Sequence, residues 1–324
     1  MKKFGKLILS VMLLSGFFTS CKAKTQIKSN KVNILCTIFP QYDWTRSILG
    51  NADNFTNLSL LVKSGVDLHN YQPSTADIVQ ISTCDLLIYV GGESDAWLKD
   101  ALSNATNKNM KVISLMDVLK DSLKEEEFIE GMQEETECEE DSDSDTEYDE
   151  HVWLSVKNAK ILCNEIADSI CSLVPENAET YKENLQAYLE ELNNLDMTYA
   201  SVIKNSPRKT LLVCDRFPLR YLTDDYKLNY YAAFAGCSAE TEASFETIVF
   251  LSNKLKEEKM PAVLVLDQSD EKIAKTVILN AKLPKTDILK IDSMQSTTLR
   301  QSFNGKTYIS TMQENLEALQ KALK

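Results

Sequence analysis

The sequence predicts an α/β protein of two lobes, each with a mostly parallel sheet, joined by one long rigid helix. Two patterns carry that prediction. Short apolar runs alternate with helical stretches in both halves of the 324-residue chain, an order that needs crossover connections and parallel strands. Between the halves, apolar residues keep three- and four-residue steps over 175–205, the signature of one extended amphipathic helix. The length allows one large or two medium domains. With 44% hydrophobic and 26% charged residues, collagen-like, wholly disordered and polytopic membrane classes are excluded.

In the first half, strands are expected over 32–38, 57–62, 86–90 and 112–115, with helices over 43–49, 75–82 and 97–105. After His151 the pattern turns helical through Ala159, Leu162, Cys163, Ile166, Ile170 and Leu173. Pro175 suits the first turn of a new helix. Ala178, Tyr181, Leu185, Tyr188, Leu192, Leu195, Tyr199 and Val202 continue it, and Ser206-Pro207 ends it. The second half repeats the style, with strands over 210–215, 230–234, 262–266 and 288–291 and helices over 245–258, 271–280 and 311–323. The expected organisation is a first lobe over 31–174, a linking helix over 175–205 and a second lobe over 206–324, leaving a cleft of the kind that binds ligands.

The amino terminus reads as an export signal. Lys2, Lys3 and Lys6 precede an apolar run from Leu7 to Phe18, which is too short to span a bilayer. Phe17-Phe18-Thr19-Ser20-Cys21 resembles a bacterial lipobox, with Phe18 where Leu is usual. That resemblance implies a signal peptide over 1–20, Cys21 as lipid anchor, a polar tether over 21–30 and an extracytoplasmic, membrane-anchored protein on a cell surface or in a periplasm.

The formal net charge of −13 is local in origin. Residues 125–150 hold fifteen Asp or Glu and no Lys or Arg, so without those fifteen charges the chain stands at +2. Nucleic acid is therefore excluded as a partner, because its binding rests on clustered basic residues. The segment 124–150 lacks apolar periodicity, and so dense a run of one charge is expected to be a mobile loop able to concentrate cations. Of the eight cysteines, none falls in a C-x-x-C or zinc-ribbon spacing. Their apolar flanks, as in Leu211-Leu212-Val213-Cys214, point to buried free thiols.

The chain has two histidines, His69 and His151. His69 follows a predicted strand in Gly65-Val66-Asp67-Leu68-His69-Asn70-Tyr71-Gln72-Pro73, and strand ends of open α/β sheets face the ligand crevice. His151 stands where the acidic segment meets a helix. Thr37-Ile38-Phe39-Pro40, the Gly65 to Pro73 segment, Asp77, Gly91 with Trp97, His151-Val152-Trp153-Leu154, Thr307-Tyr308 and Asn315-Leu316 appear in the order seen in the zinc and manganese solute-binding lipoproteins of ABC importers, which the chain resembles from Lys31 to Lys324.

That resemblance implies one divalent metal held in the interlobe cleft by side chains of both lobes. His69 matches the first family ligand and His151 the second. The third, His or Glu in the family, has no His counterpart here: anchoring on Tyr221, with one extra residue, points to Asp215, and anchoring on Phe217 points to Cys214. Asp215 is favoured because Cys214 completes an apolar run. Asp292 matches the fourth. Two imidazoles with carboxylates suit zinc, or manganese with a fuller oxygen shell; the long charged segment beside His151 favours zinc. The implied protein is a lipid-anchored, monomeric receptor that captures zinc and hands it to a membrane permease of an ABC importer. A manganese receptor is the alternative. A metallohydrolase using His69, His151 and Asp215 is disfavoured because no H-E-x-x-H or G-x-S-x-G is present, and nothing in the residues argues for a surface adhesin.

Overall fold

The computed structural model describes residues 31–324 except 52, 63, 64, 67, 134–146 and 239–241. The signal segment, Cys21 and the tether lie outside the described residues, as do Asp67 and Cys138.

Two four-stranded parallel sheets carry the fold. The first contains β1 (Val32–Cys36), β2 (Thr56–Leu60), β3 (Leu86–Tyr89) and β4 (Lys111–Ser114) in the order β2-β1-β3-β4. The second contains β5 (Thr210–Arg216), β6 (Asn229–Phe234), β7 (Ala262–Leu266) and β8 (Asp287–Ile291) in the order β6-β5-β7-β8. The strand order is thus the same in both sheets, and the strands are apolar because helices cover both faces. Ile34 and Cys36 of β1 face one core, and Leu35 faces another against α2 (Thr75–Thr83) and α3 (Leu98–Ser103). In the second sheet Leu212, Cys214, Val263 and Val265 pack against α8 (Phe245–Glu257) and α9 (Lys272–Ala281).

The remaining faces share a single core. It is built from α1 (Phe39–Leu49), the short α4 (Leu115–Val118), α5 (Val156–Leu173), α6 (Ala178–Asn205), α7 (Arg220–Tyr226) and α11 (Tyr308–Ala322), with α10 (Leu299–Phe303) lying just before the last of these. Helix α6 is the expected linker. Its 28 residues make it about 42 Å long at 1.5 Å per residue, and it buries Tyr181, Leu185, Tyr188, Leu192, Leu195, Tyr199 and Ile203.

The linker is not the sole connection. The final helix α11 returns from the second sheet to pack on α1 and α6. Its first residue, Tyr308, donates its N–H to Asp43 Oδ2 at 2.7 Å and its hydroxyl to the Trp153 carbonyl at 2.8 Å. The Tyr199 hydroxyl donates to the Met312 carbonyl at 2.6 Å. Helix α1 begins four residues earlier than the apolar pattern suggests, because Pro40 sits in its first turn, where the missing N–H costs nothing.

The acidic segment also differs from expectation. A mobile loop does not describe its two ends: Glu126 N–H donates to the Glu147 carbonyl and Asp149 N–H to the Lys124 carbonyl, both at 2.9 Å. Gln133 N–H donates to the Ala233 carbonyl of β6 at 2.9 Å, and Met132 joins the core. The backbone therefore finds partners in the second lobe where side-chain charge gave no sign of them.

Candidate metal centre

Loops at the carboxyl ends of both sheets enclose a cavity of about 700 Å³. His69 and Asn70 follow β2, Glu93 and Ser94 follow β3, Asp215 and Arg216 end β5, and Asp267 and Ser293 follow β7 and β8. Carboxyl ends of parallel strands are where open α/β sheets bind ligands.

His69 stands in a short helical turn, Leu68–Asn70, anchored by the fully buried Leu68. Two residues on, Tyr71 packs against Trp97 with ring centroids 5.8 Å apart. His151 is 1% exposed and precedes the buried turn Val152–Leu154. Trp153 flanks it with ring centroids 5.2 Å apart and donates its indole N–H to the Ser293 carbonyl of the second lobe at 2.8 Å. At Gly236 a Cβ would come within 2.7 Å of Asp149 and 3.3 Å of the His151 ring. Only glycine lets the second lobe's backbone pass so close.

The two imidazoles converge. Their Nε2 atoms are 3.4 Å apart, the separation that two nitrogens at 2.0–2.1 Å from a tetrahedral zinc would have, about 3.3–3.4 Å. The opposite ring edges are held from behind. His151 Nδ1 lies 3.1 Å from Asp149 Oδ1, and His69 Nδ1 lies 2.6 Å from the Ser94 hydroxyl. An ionised carboxylate only accepts, so His151 carries its proton on Nδ1 and its Nε2 lone pair faces inward. Burial draws the His151 pKa down, but the Asp149 and Glu150 charges outweigh it and the net direction is up.

A third group completes the face. The Gln295 amide nitrogen lies 2.9 Å from His69 Nε2 and 3.1 Å from His151 Nε2, while the Ser293 hydroxyl donates to Gln295 Oε1 at 3.0 Å. The amide therefore donates to both imidazoles, and His69, like His151, is the Nδ1–H tautomer. Gln295 is 3% exposed and comes from the loop after β8, so the second lobe closes on the histidines of the first. Turned about its last bond, the same amide presents its oxygen to the metal position, with the Ser293 hydroxyl accepting from the nitrogen.

The other expected ligands stand elsewhere. Asp215 lines the cavity, but its oxygens accept the N–H groups of Arg216 at 2.9 Å and Leu266 at 3.3 Å. The pairing of β5 with β6 shifts register between Val213 and Arg216, and a bulge of that kind re-aims the side chains it contains. Cys214 is 1% exposed in the core beneath α8 and α9, where burial pushes its thiol well up. Asp292 is paired with Lys306 and accepts the Met294 N–H at 2.8 Å. Among the described residues no three His, Cys, Asp or Glu side chains converge to hold a metal. Asp215, Cys214 and Asp292 thus make other contacts, and the residue standing beside the histidine pair is Gln295, which the expected set did not include. Its only sequence signal is its place three residues past Asp292.

A family model described as the periplasmic component A of a zinc-uptake complex matches residues 34–322. The chain belongs to this family. Its relatives include the zinc-binding lipoprotein AdcA of Streptococcus pneumoniae, 30% identical over 98% of this chain and 60% of that protein. The chain thus spans about three-fifths of the length of that relative. The metal ABC transporter substrate-binding lipoprotein ScbA of Streptococcus cristatus is 29% identical over 100% of this chain and 99% of ScbA. Among solved structures, the Zn(II)-bound ZnuA-like domain of Streptococcus pneumoniae AdcA superposes with a TM-score of 0.69 at 27% identity, covering 90% of this chain and 99% of that domain. The shared fold is the two-lobed α/β architecture with its long linking helix.

Proposed function

We propose that this protein is an extracytoplasmic receptor that captures zinc in the interlobe cleft and delivers it to the membrane permease of an ABC importer. The observation that carries the reading is the His69–His151 pair, whose Nε2 atoms stand 3.4 Å apart with their lone pairs turned to one point. Zinc is the cargo. His69 and His151 supply nitrogen, the Gln295 carbonyl supplies the third donor, and a fourth position remains for water. This small, nitrogen-rich set suits tetrahedral zinc better than manganese, which prefers a fuller oxygen shell. Asp215 and Asp292, the carboxylates that would have hardened the site, are engaged with backbone amides and Lys306.

Capture needs no bond to carbon, oxygen or phosphorus to break, so a receptor accounts for the site without an enzymatic step. Anchoring through an acylated Cys21, a monomeric state and an ABC permease partner belong to the same proposal, supported by the lipobox-like amino terminus and by relatives named as a zinc-binding lipoprotein and a metal ABC transporter substrate-binding lipoprotein. The test is competitive zinc and manganese titration of the purified protein, with His69→Ala and His151→Ala alongside. One tight zinc per chain, lost in both variants, is the expected result. Preferential retention of manganese would make it a manganese receptor, and unchanged zinc affinity in either variant would place the site elsewhere.

A further inference from the structure

Glu150 sits directly beside Asp149 in sequence, yet the metal centre described above assigns it no task. It is 2% exposed. Its Oε1 accepts the Ser94 N–H at 2.8 Å, and its Oε2 is buried without a hydrogen-bond partner among the described residues. An unpaired oxygen of a buried carboxyl group is costly and calls for an explanation. The fold also reserves room for it: Gly92, at φ 95°, leaves a space in which any Cβ would come within 2.7–2.9 Å of the Glu150 side chain. Burial moves the Glu150 pKa up from its ordinary value, against the opposing pull of the Ser94 amide. The same Ser94 hydroxyl lies 2.6 Å from His69 Nδ1.

We propose that Glu150 is a positioning residue for zinc capture: by accepting the Ser94 N–H it fixes the Ser94 hydroxyl against His69 Nδ1, which holds His69 in the Nδ1–H tautomer with its Nε2 lone pair turned to the metal position. His69 Nδ1–H donates to Ser94 Oγ, and the Ser94 N–H donates to Glu150 Oε1 at 2.8 Å, which fixes that hydroxyl in place. Asp149 does directly for His151 what Glu150 does through a relay for His69, so consecutive residues each serve one imidazole. The two carboxylates also set two negative charges behind neutral donors that would receive a dication. Outer partners of this kind fix ring orientation and raise ligand basicity. The inference rests on His69 being a zinc ligand, as proposed above.

The experiment compares the full chain with Glu150→Gln, Ser94→Ala and the double variant, by zinc competition titration and by ¹⁵N NMR of the metal-free protein. Each single variant is expected to lose about 10–100-fold in zinc affinity. The double variant should be no weaker than the weaker single one, because both changes break the same relay. In the unsubstituted protein His69 Nε2 should show the shift of an unprotonated ring nitrogen, and Ser94→Ala should show mixed tautomers. The tautomer measurement on the unsubstituted protein needs no variant to fold. Additive losses, an unchanged Glu150→Gln affinity, or an Nε2–H tautomer would each overturn the relay. Failure of the unsubstituted protein to bind zinc would instead remove the reading of His69 on which it stands.

Discussion

Replacing Asp149 by Asn tests the metal centre at its most buried point. The side chains of His151 and Asp149 are 1% and 2% exposed, with Nδ1 and Oδ1 3.1 Å apart, so solvent screens the pair little. An Asn oxygen still accepts from Nδ1–H, and the change removes charge while keeping shape. A hydrogen bond to a charged group is worth about 1.5–3 kcal/mol, and losing an outer partner of a metal ligand costs about 10–100-fold in affinity. At about 1.4 kcal/mol per tenfold the two scales agree, and zinc binding at about pH 8 should weaken by one to two orders of magnitude. The pH dependence carries an opposite sign. The raised His151 pKa, set by Asp149 and Glu150 against the pull of burial, lets protons compete for Nε2 from above the ordinary imidazole value of about 6.5. Without the Asp149 charge that pKa falls, so acid displacement of zinc begins lower. The two affinity curves should converge as pH drops, read by competition with a fluorescent chelator from about pH 8.5 to 5.5 around that value. Parallel curves, or equal affinities at the alkaline end, would refute the reasoning. In the metal-free protein the raised pKa favours the folded, protonated form. That contribution to stability is full below about 6.5 and lost as pH rises through the folded value.

Gln295→Glu places an ionised oxygen at the third position and should raise zinc affinity by about tenfold or more, whereas Gln295→Ala should lower it, since ligand charge count sets affinity at oxygen donors; competition titration separates the two. Trp153→Phe removes the donor to the Ser293 carbonyl and should cost about 1–3 kcal/mol in urea unfolding, the range for a buried group left unpaired. Gly92→Ala meets the Glu150 side chain at 2.7–2.9 Å with φ at 95°, and should lose about 1–3 kcal/mol of stability together with zinc affinity, read by thermal unfolding and titration.

The strand and helix order was legible because apolar spacing reports burial directly; the two histidines, which the structure brings together, drew attention as the chain's only two, standing at strand and loop ends. The third position was not legible. Asp215 lies within the register shift between Val213 and Arg216; spacing counts residues but cannot say which way a bulge turns a carboxylate. Gln295 carried no signal because a neutral amide is not a typical metal ligand and its task depends on the second lobe's approach. The ends of the acidic segment misled for a related reason: charge density speaks of side chains, while Gln133 and Asp149 are held by their backbone N–H groups.

The return of α11 to the first lobe has a consequence for how the chain comes to fold. Tyr308 is fully buried and caps its interactions on Asp43, 265 residues earlier, with its ring 5.2 Å from Trp44. Contacts of such sequence separation form late, because the entropy of closing the loop must be met before they contribute. A ribosome-bound chain that has not yet released α11 would have no lid for α1, so the first lobe stays unfinished until that helix emerges. That delay suits the export route proposed above: a polypeptide threaded unfolded through a membrane gains time before its core can close.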